Sequence, residues 1–425
     1  MKNLVSTSTS LPFLSKEICE SETVSISLSE SQVRQLRNLG KSLAGQKRYW
    51  GSELDAVSEP SVLEVQPSSE YGKWNLTVRN AVGYVSIEDL NLKVRPKIPW
   101  HHFMHIANAT SIFGRFSKAP NRMEEFNDFA EAFIRNFLDE SVKYLQAAMH
   151  LDYELQKSTL DSPRGQIIPL ETLINLRKGR VGIVCRHDDL VEDNFLNRVI
   201  KGALTKISTL PLVSSDLKAK ASRLNRSIFA AEYSVNDLEK LSSQIPARFE
   251  TIASLAKLII TNTYSAGNGK GANGYSFLVA TPPLIESGLR NLLRMGLPPD
   301  IVLSPTAARK VLQPQRISVN PDLLLAVRQA DKSNPEIVTG DVKYQIRSGN
   351  WKRANFYQAV TFATAFFANR GFVIDFSEQK NPDQSRVQIG PLELTIFDWD
   401  IAPGSSPSTS LATLVNEIHL WISNK

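Results

Sequence analysis

The sequence predicts an α+β multidomain chain: a β-rich N-terminal domain, a helical middle region and a C-terminal α/β domain with a central mixed sheet. Three observations carry this. Short alternating apolar runs fill residues 62–94. From about Asn121 the apolar period changes from two to the three- and four-residue steps of a helix. The last third alternates helix-like and strand-like segments, the order of a layered α/β domain. At 425 residues the chain exceeds one ordinary domain. The boundaries expected are 1–120, a β-rich partner-docking domain; 121–265, a helical domain; and 266–425, the α/β domain.

The first 25 residues look like a loose arm. A helix is expected next: Ser29 and Gln32 have the spacing of a capping box, and Val33, Leu36, Leu39 and Leu43 share a face. Strands are expected at Val62–Val65, Trp74–Val78, Val82–Ile87 and Leu90–Val94, with Asn80 and the Glu88-Asp89 pair as turns. In the middle, Phe126, Phe129, Phe133 and Phe137 form an aromatic stripe, read as core. Further helices are expected near Asp193–Leu210, Val235–Ser243 and Ala247–Asn262. Ser265 to Gly274 holds four glycines after Ala266 and reads as a loop or linker. In the last third, helices are expected at Pro283–Leu293, Ala354–Ala368 and Leu411–Ile422. Strands are expected at Asp322–Val327, Glu336–Lys343, Phe372–Phe376 and Leu392–Phe397.

Composition narrows the function classes. Apolar residues make up 42% and charged residues 22%, the balance of a chain that folds around cores. Lys and Arg exceed Asp and Glu by 49 to 43, a mild excess that permits a nucleic-acid partner without requiring one. Cys19 and Cys185 are far apart, which argues against a zinc ribbon or a disulfide framework and fits a cytoplasmic setting. Met1 to Phe13 lacks the apolar run of a secretory signal, and no membrane span is expected. The glycine-rich stretch contains Gly-Lys but not the spacing of a phosphate-binding P-loop, so the chain is expected to bind no nucleotide itself.

The residues that can carry chemistry lie near the end. Pro321-Asp322 opens one expected strand, and Asp341-Val342-Lys343 closes the next. Residues two apart on a strand share a side, so Asp341 and Lys343 face one space. Pairing of the two strands brings Asp322 to it. Two carboxylates repel, and a divalent cation relieves the repulsion. Mg²⁺ suits hard oxygen ligands, with Mn²⁺ as an alternative. A lysine beside it orients water and stabilises charge on a phosphate. This arrangement resembles the PD-(D/E)xK site of metal-dependent nucleases. Asp322, Asp341 and Glu286 are the expected metal ligands, Lys343 the charged partner, and Gln358 an assisting amide. Glu286 stands on the helix before the first of these strands. Asp216-Leu217-Lys218 repeats the spacing without a strand, and Pro299-Asp300 and Pro382-Asp383 lack a downstream Asp-x-Lys. His101, His102 and His105 have no acidic or cysteine neighbour and read as a surface cluster. Cys185 reads as a lone thiol.

These residues resemble the McrC family, the nuclease subunits of McrBC-type 5-methylcytosine restriction systems. The likeness runs through Asn80-Ala-Val-Gly-Tyr-Val85 and Leu92-Lys-Val-Arg-Pro-Lys-Ile98. It continues through Arg164-Gly165, Cys185 to Leu190 and Asp193 to Lys201, and ends in Leu284-Ile-Glu286, Pro321-Asp322, Asp341 to Tyr344 and Tyr357-Gln358. The segment before Glu286 departs from the family: an acidic residue is missing and Pro282 and Pro283 intervene. Phe362 stands where the family has Tyr. The resemblance implies a PD-(D/E)xK nuclease fold in 266–425, DNA as substrate and a role in phage defence. It also implies a hexameric AAA+ GTPase or ATPase partner similar to McrB, on which the N-terminal domain docks and whose hydrolysis the chain stimulates. Arg198, beside Asn197, is a candidate for that stimulation through the resemblance alone. A reading from another class is a non-catalytic adaptor of a ring NTPase with a degenerate nuclease fold, motivated by the altered segment before Glu286. A standalone nuclease fits the large N-terminal and middle regions poorly.

Overall fold

The computed structural model describes residues 14–45, 62–110, 129–147, 149–210, 213–241, 245–266, 274–314, 316–328, 334–347, 349–379 and 385–423. Phe126, residues 267–273 and Pro382-Asp383 lie outside them. The chain divides into two compact units, Met1–Ala130 with Tyr264–Lys425, and Glu131–Thr263.

In the first unit the N-terminal elements are β1 (Leu14–Cys19), β2 (Thr23–Ser27), α1 (Glu30–Gly45), β3 (Leu63–Pro67), β4 (Lys73–Val78), β5 (Ala81–Ile87), β6 (Leu90–Arg95) and α2 (Trp100–Asn108). The capping box is present: Ser29 N–H donates to Gln32 Oε1 at 2.8 Å, and Gln32 N–H to Ser29 Oγ at 3.1 Å. Asn80 and Glu88 take left-handed turns (φ 54° at each). The loose arm expected over the first 25 residues is instead partly strand. β1 pairs in parallel with β6, and β2 pairs with β4. β1 is polar and half-exposed, which hides its pattern, whereas β2 alternates Val24 and Ile26 with polar residues over a run of only five residues.

The second unit contains α3 (Phe129–Gln146), β7 (Asp152–Leu160), β8 (Gln166–Ile167), α4 (Pro169–Arg177), β9 (Ile183–Val191), α5 (Phe195–Thr209), α6 (Ser215–Arg226), α7 (Val235–Lys240) and α8 (Glu250–Asn262). Phe133 and Phe137 are fully buried, as a core stripe requires. The helical reading of this region missed a three-stranded antiparallel sheet, ordered β7-β9-β8. β7 is exposed along most of its length, so no buried face imposes an apolar period on its sequence.

The chain returns to the first unit through β10 (Thr263–Ala266), β11 (Gly274–Ala280), α9 (Thr281–Gly296), β12 (Ile301–Leu303), β13 (Lys310–Leu312), β14 (Ile317–Val319), β15 (Leu323–Val327), β16 (Glu336–Ile346), α10 (Arg353–Phe366), β17 (Arg370–Ser377), β18 (Arg386–Ile389), β19 (Leu392–Asp400) and α11 (Pro407–Ser423). β10 and β11, which flank the glycine-rich stretch, are neighbours in a five-stranded sheet ordered β1-β6-β5-β11-β10. Leu278 of β11 packs in one core with Ile18, Leu36, Leu76 and Val85, so the last third contributes a strand to the N-terminal sheet.

The six-stranded sheet β12-β15-β16-β17-β19-β18 is mixed: β16, β17 and β19 are parallel, and β15 and β18 run against their neighbours. Val373 of β17 packs with Ala359 and Ala363 of α10, while Phe372 meets Trp421 of α11. Successive strand residues point to opposite sides, so helices cover both faces.

The histidines correct one expectation. His102 is fully buried on α2, where its Nδ1 accepts a hydrogen bond from Trp399 Nε1 at 2.9 Å, and its Nε2 lies 3.1 Å from Ser405 Oγ. It is a core residue and not part of a surface cluster. Burial, then neighbouring His101, pushes its pKa down to about 4. The unfolded chain therefore binds more protons than the folded one between about pH 6.5 and pH 4. Stability is full above the ordinary histidine value and is lost as pH falls through that window, by up to about 3 kcal/mol. In thermal melts, His102→Gln is expected to lose less stability between pH 7.5 and pH 4.5 than wild type. An unchanged acid slope would remove His102 as its source.

Candidate active site

The site is built where β15 meets β16. Their register sets Leu323 opposite Gly340, which places Asp322, just before β15, beside Asp341 on β16. Asp322 Oδ2 accepts the backbone N–H of Val342 at 2.9 Å, so the carboxylate is pinned to the strand that carries its partners. The register sets the Asp322 and Asp341 carboxyls side by side, and the charge of Asp341 disfavours ionisation of Asp322. Lys343 shares the side of Asp341. Its Nζ stands 2.7 Å from Asp341 Oδ2 and donates to Gln358 Oε1 of α10 at 2.7 Å. The ammonium approaches Asp341 as an ion pair only: Asp341 Oδ2 is buried and has no hydrogen-bond partner.

Glu286 comes from α9. Burial, then the charge of Asp341, pushes its carboxyl up to about 7, with Lys343 and Arg290 opposing. Burial, then Glu286 and Asp341, holds Asp322 well above the usual carboxylate range. Three carboxyl groups thus share one low-dielectric space, where full ionisation is costly without added positive charge. Among the described residues no three His, Cys, Asp or Glu side chains form a ready group for a metal ion. Asp322 and Asp341 are neighbours across the strand register, and Glu286 is linked to them through charge.

Three of the expected residues therefore lie in direct contact (Asp341, Lys343 and Gln358), Asp322 is set beside Asp341 by the strand register, and Glu286 is electrostatically linked to them. Sequence reasoning missed Arg290. It follows Glu286 by one helical turn, is buried, and donates through Nε to the Asp322 carbonyl oxygen at 2.8 Å. The signal was an arginine on the apolar side of α9. Elsewhere, Asp216 is exposed on α6, so the repeated Asp-x-Lys spacing lies on a helix away from any strand. Arg198 is bound within the second unit, 3.1 Å from Asp193 Oδ1 and 3.2 Å from Asp237 Oδ1. Cys185 is buried in β9. No helix among the described residues is long and apolar enough to cross a membrane.

The second unit carries a different feature. α4 buries none of its residues, and Leu170 (69% exposed), Leu173 and Leu176 on it stand in solvent, as do Tyr153 (70%) and Leu155 on β7.

A family model described as McrBC 5-methylcytosine restriction system component matches residues 76–374. No curated protein matches. Among solved structures, the chain is similar to one in the refined half-complex from the tetradecameric assembly of Thermococcus gammatolerans McrB AAA+ hexamers with bound McrC. Identity there is 17% and the TM-score 0.66, over 95% of this chain and 100% of that one. A chain of the cryo-EM structure of the Thermococcus gammatolerans McrBC complex is 16% identical with a TM-score of 0.49, over 66% of this chain and 88% of that one. The first likeness shows a shared fold across nearly the whole chain.

Proposed function

The chain belongs to the McrBC 5-methylcytosine restriction system component family, and from that premise we propose that it is the McrC-like, metal-dependent DNA endonuclease subunit of such a system. The observation that carries this is the convergence of Asp322, pinned to the Val342 N–H, with Asp341 and the Lys343 ammonium, itself held by Gln358. The PD-(D/E)xK assignment of the six-stranded sheet rests on the same residues.

The donor set fits a hard divalent cation. Asp341 Oδ2 is buried with the Lys343 ammonium against it, and the register sets the Asp322 carboxyl beside it. Mg²⁺ commonly uses one or two carboxylates with water completing its shell. Asp322 and Asp341 would hold it, with Glu286 as the third carboxylate; Mn²⁺ suits the same donors. When bound, such an ion neutralises charge on the phosphate and makes water a better nucleophile. The chain's own residues do the rest. Lys343 keeps its ammonium beside Asp341 and offers its remaining donors to water or to a phosphate oxygen. Gln358 fixes the direction of that ammonium. Arg290 ties α9 to Asp322 and adds positive charge near two carboxyls.

Docking on an McrB-like AAA+ hexamer is part of the proposal. The N-terminal domain is one docking element, from the family likeness. The apolar side chains exposed on β7 and α4 support a second, since exposed apolar patches mark partner surfaces. The altered segment before Glu286, with Pro282 and Pro283 in it, favours a second reading, the non-catalytic adaptor.

One experiment separates them: cleavage of modified and unmodified plasmid in Mg²⁺ by the chain with its cognate ring NTPase, wild type against Asp341→Ala. Cutting by wild type alone, lost on chelation, with hydrolysis stimulated by both, is the expected outcome. No cutting by either, with stimulation intact in both, selects the adaptor. Leu170→Asp with Leu173→Asp is expected to reduce stimulation, and full stimulation would remove α4 from the docking face.

A further inference from the structure

On the far side of β16 from Asp341 and Lys343 lies a buried polar cluster that the nuclease reading does not use. Tyr344, the residue after Lys343, is 8% exposed. The Nζ of Lys97, which follows β6, stands over its ring at 4.2 Å from the centroid. Glu20, which follows β1, is 2% exposed and accepts the hydroxyl of Thr281, the first residue of α9. The Thr281 backbone N–H in turn donates to the Asn80 carbonyl at 3.0 Å. Glu20 faces both Lys97 and Tyr344, but Glu20 Oε2 and the Tyr344 hydroxyl remain buried without a regular hydrogen bond.

The connectivity is what matters. Thr281 opens the helix that carries Glu286 and Arg290, and Tyr344 is the strand neighbour of Lys343. Both elements that build the candidate site are thus tied to one acid and one base from the N-terminal strands. A buried acid facing a half-buried base is poor value as pure stabilisation, because apolar residues of similar volume often do as well. Its use is geometric, since it tolerates few arrangements. Catalysis is sensitive to such geometry: misplacement by about 1 Å is enough to cost on the order of 10²-fold in rate.

We propose that Glu20 and Lys97 are positioning residues for the candidate active site: through Thr281 and Tyr344 they hold α9 and β16, and so Glu286 and Lys343, at the spacing that cutting requires. The inference rests on the nuclease reading above, and it links the N-terminal strands to the chemistry.

The test uses the full chain with its ring partner. Glu20→Gln and Lys97→Met are each expected to lower turnover at saturating DNA by about tenfold or more, with little change in KM for DNA. Stimulation of the partner and the melting temperature should stay close to wild type. Hydrogen exchange at the amides of residues 341–344 should quicken, and Lys97→Arg should restore part of the turnover. The double variant Glu20→Gln with Lys97→Met leaves no unpaired charge and guards against misfolding of the single variants. Wild-type turnover in that double variant, while Asp341→Ala does not cut, would overturn the positioning role and leave the nuclease reading standing. Cutting by Asp341→Ala would overturn both.

Discussion

Lys343→Ala is expected to cut DNA at least ~10²-fold more slowly than wild type in single-turnover assays with the ring partner present, the loss typical of one preorganised charge. Lys343 Nζ stands 2.7 Å from Asp341 Oδ2 and 2.7 Å from Gln358 Oε1, so its position is fixed from two sides before substrate arrives. That preorganisation is why the effect should fall on the chemical step more than on DNA binding. Lys343→Arg is expected to rescue poorly, because the planar guanidinium cannot occupy the place of a compact ammonium between a carboxylate and an amide. Gln358→Ala removes only the support and should cost less. Lys343→Ala cutting at half the wild-type rate or better would exclude the lysine from the chemistry.

The part of this site that could be read from sequence is the part with short-range periodicity. Asp341 and Lys343 share a side because strands alternate, and Asp322 joins them because one strand pairs with the next. Gln358 was readable because a helix follows that strand. Arg290 was not, because its role depends on the Asp322 carbonyl 32 positions away, which no local pattern announces. Glu20, Lys97 and Tyr344 were hidden for the same reason: contacts between β1, β6 and β16 are decided by tertiary packing. The fold divides similarly. The capping box of α1, the strands of 62–95 and the alternation of the last third all have local signatures. β1 and β7 are too polar to show a period, β2 alternates over only five residues beside a Ser-rich arm, and His102 of α2 looks like a surface residue until Trp399 and Ser405 are brought against it.

The pairing of β5 with β11 was equally invisible, and it sets the second large effect. Gly83 on β5 lies opposite Leu278 on β11, with φ +138°, a conformation that side chains rarely adopt. A Cβ there would stand 2.0 Å from the Phe277 carbonyl oxygen and 3.2 Å from the Leu278 Cα. Those are backbone atoms of a paired strand, so they cannot swing aside as the end of a long side chain can. Gly83→Ala is therefore expected to cost on the order of 3 kcal/mol or more, strain and overlap together. Gly72→Ala is the control: its φ is +75° but nothing lies within 4 Å, so only the backbone strain applies. Thermal melts should place Gly83→Ala clearly below Gly72→Ala, and equal midpoints would mean that β5 and β11 do not pair this closely. Because β11 runs directly into α9, a chain that loosens this pairing should also lose the placement of Glu286, and cutting should fall at temperatures where the Gly72 variant still works.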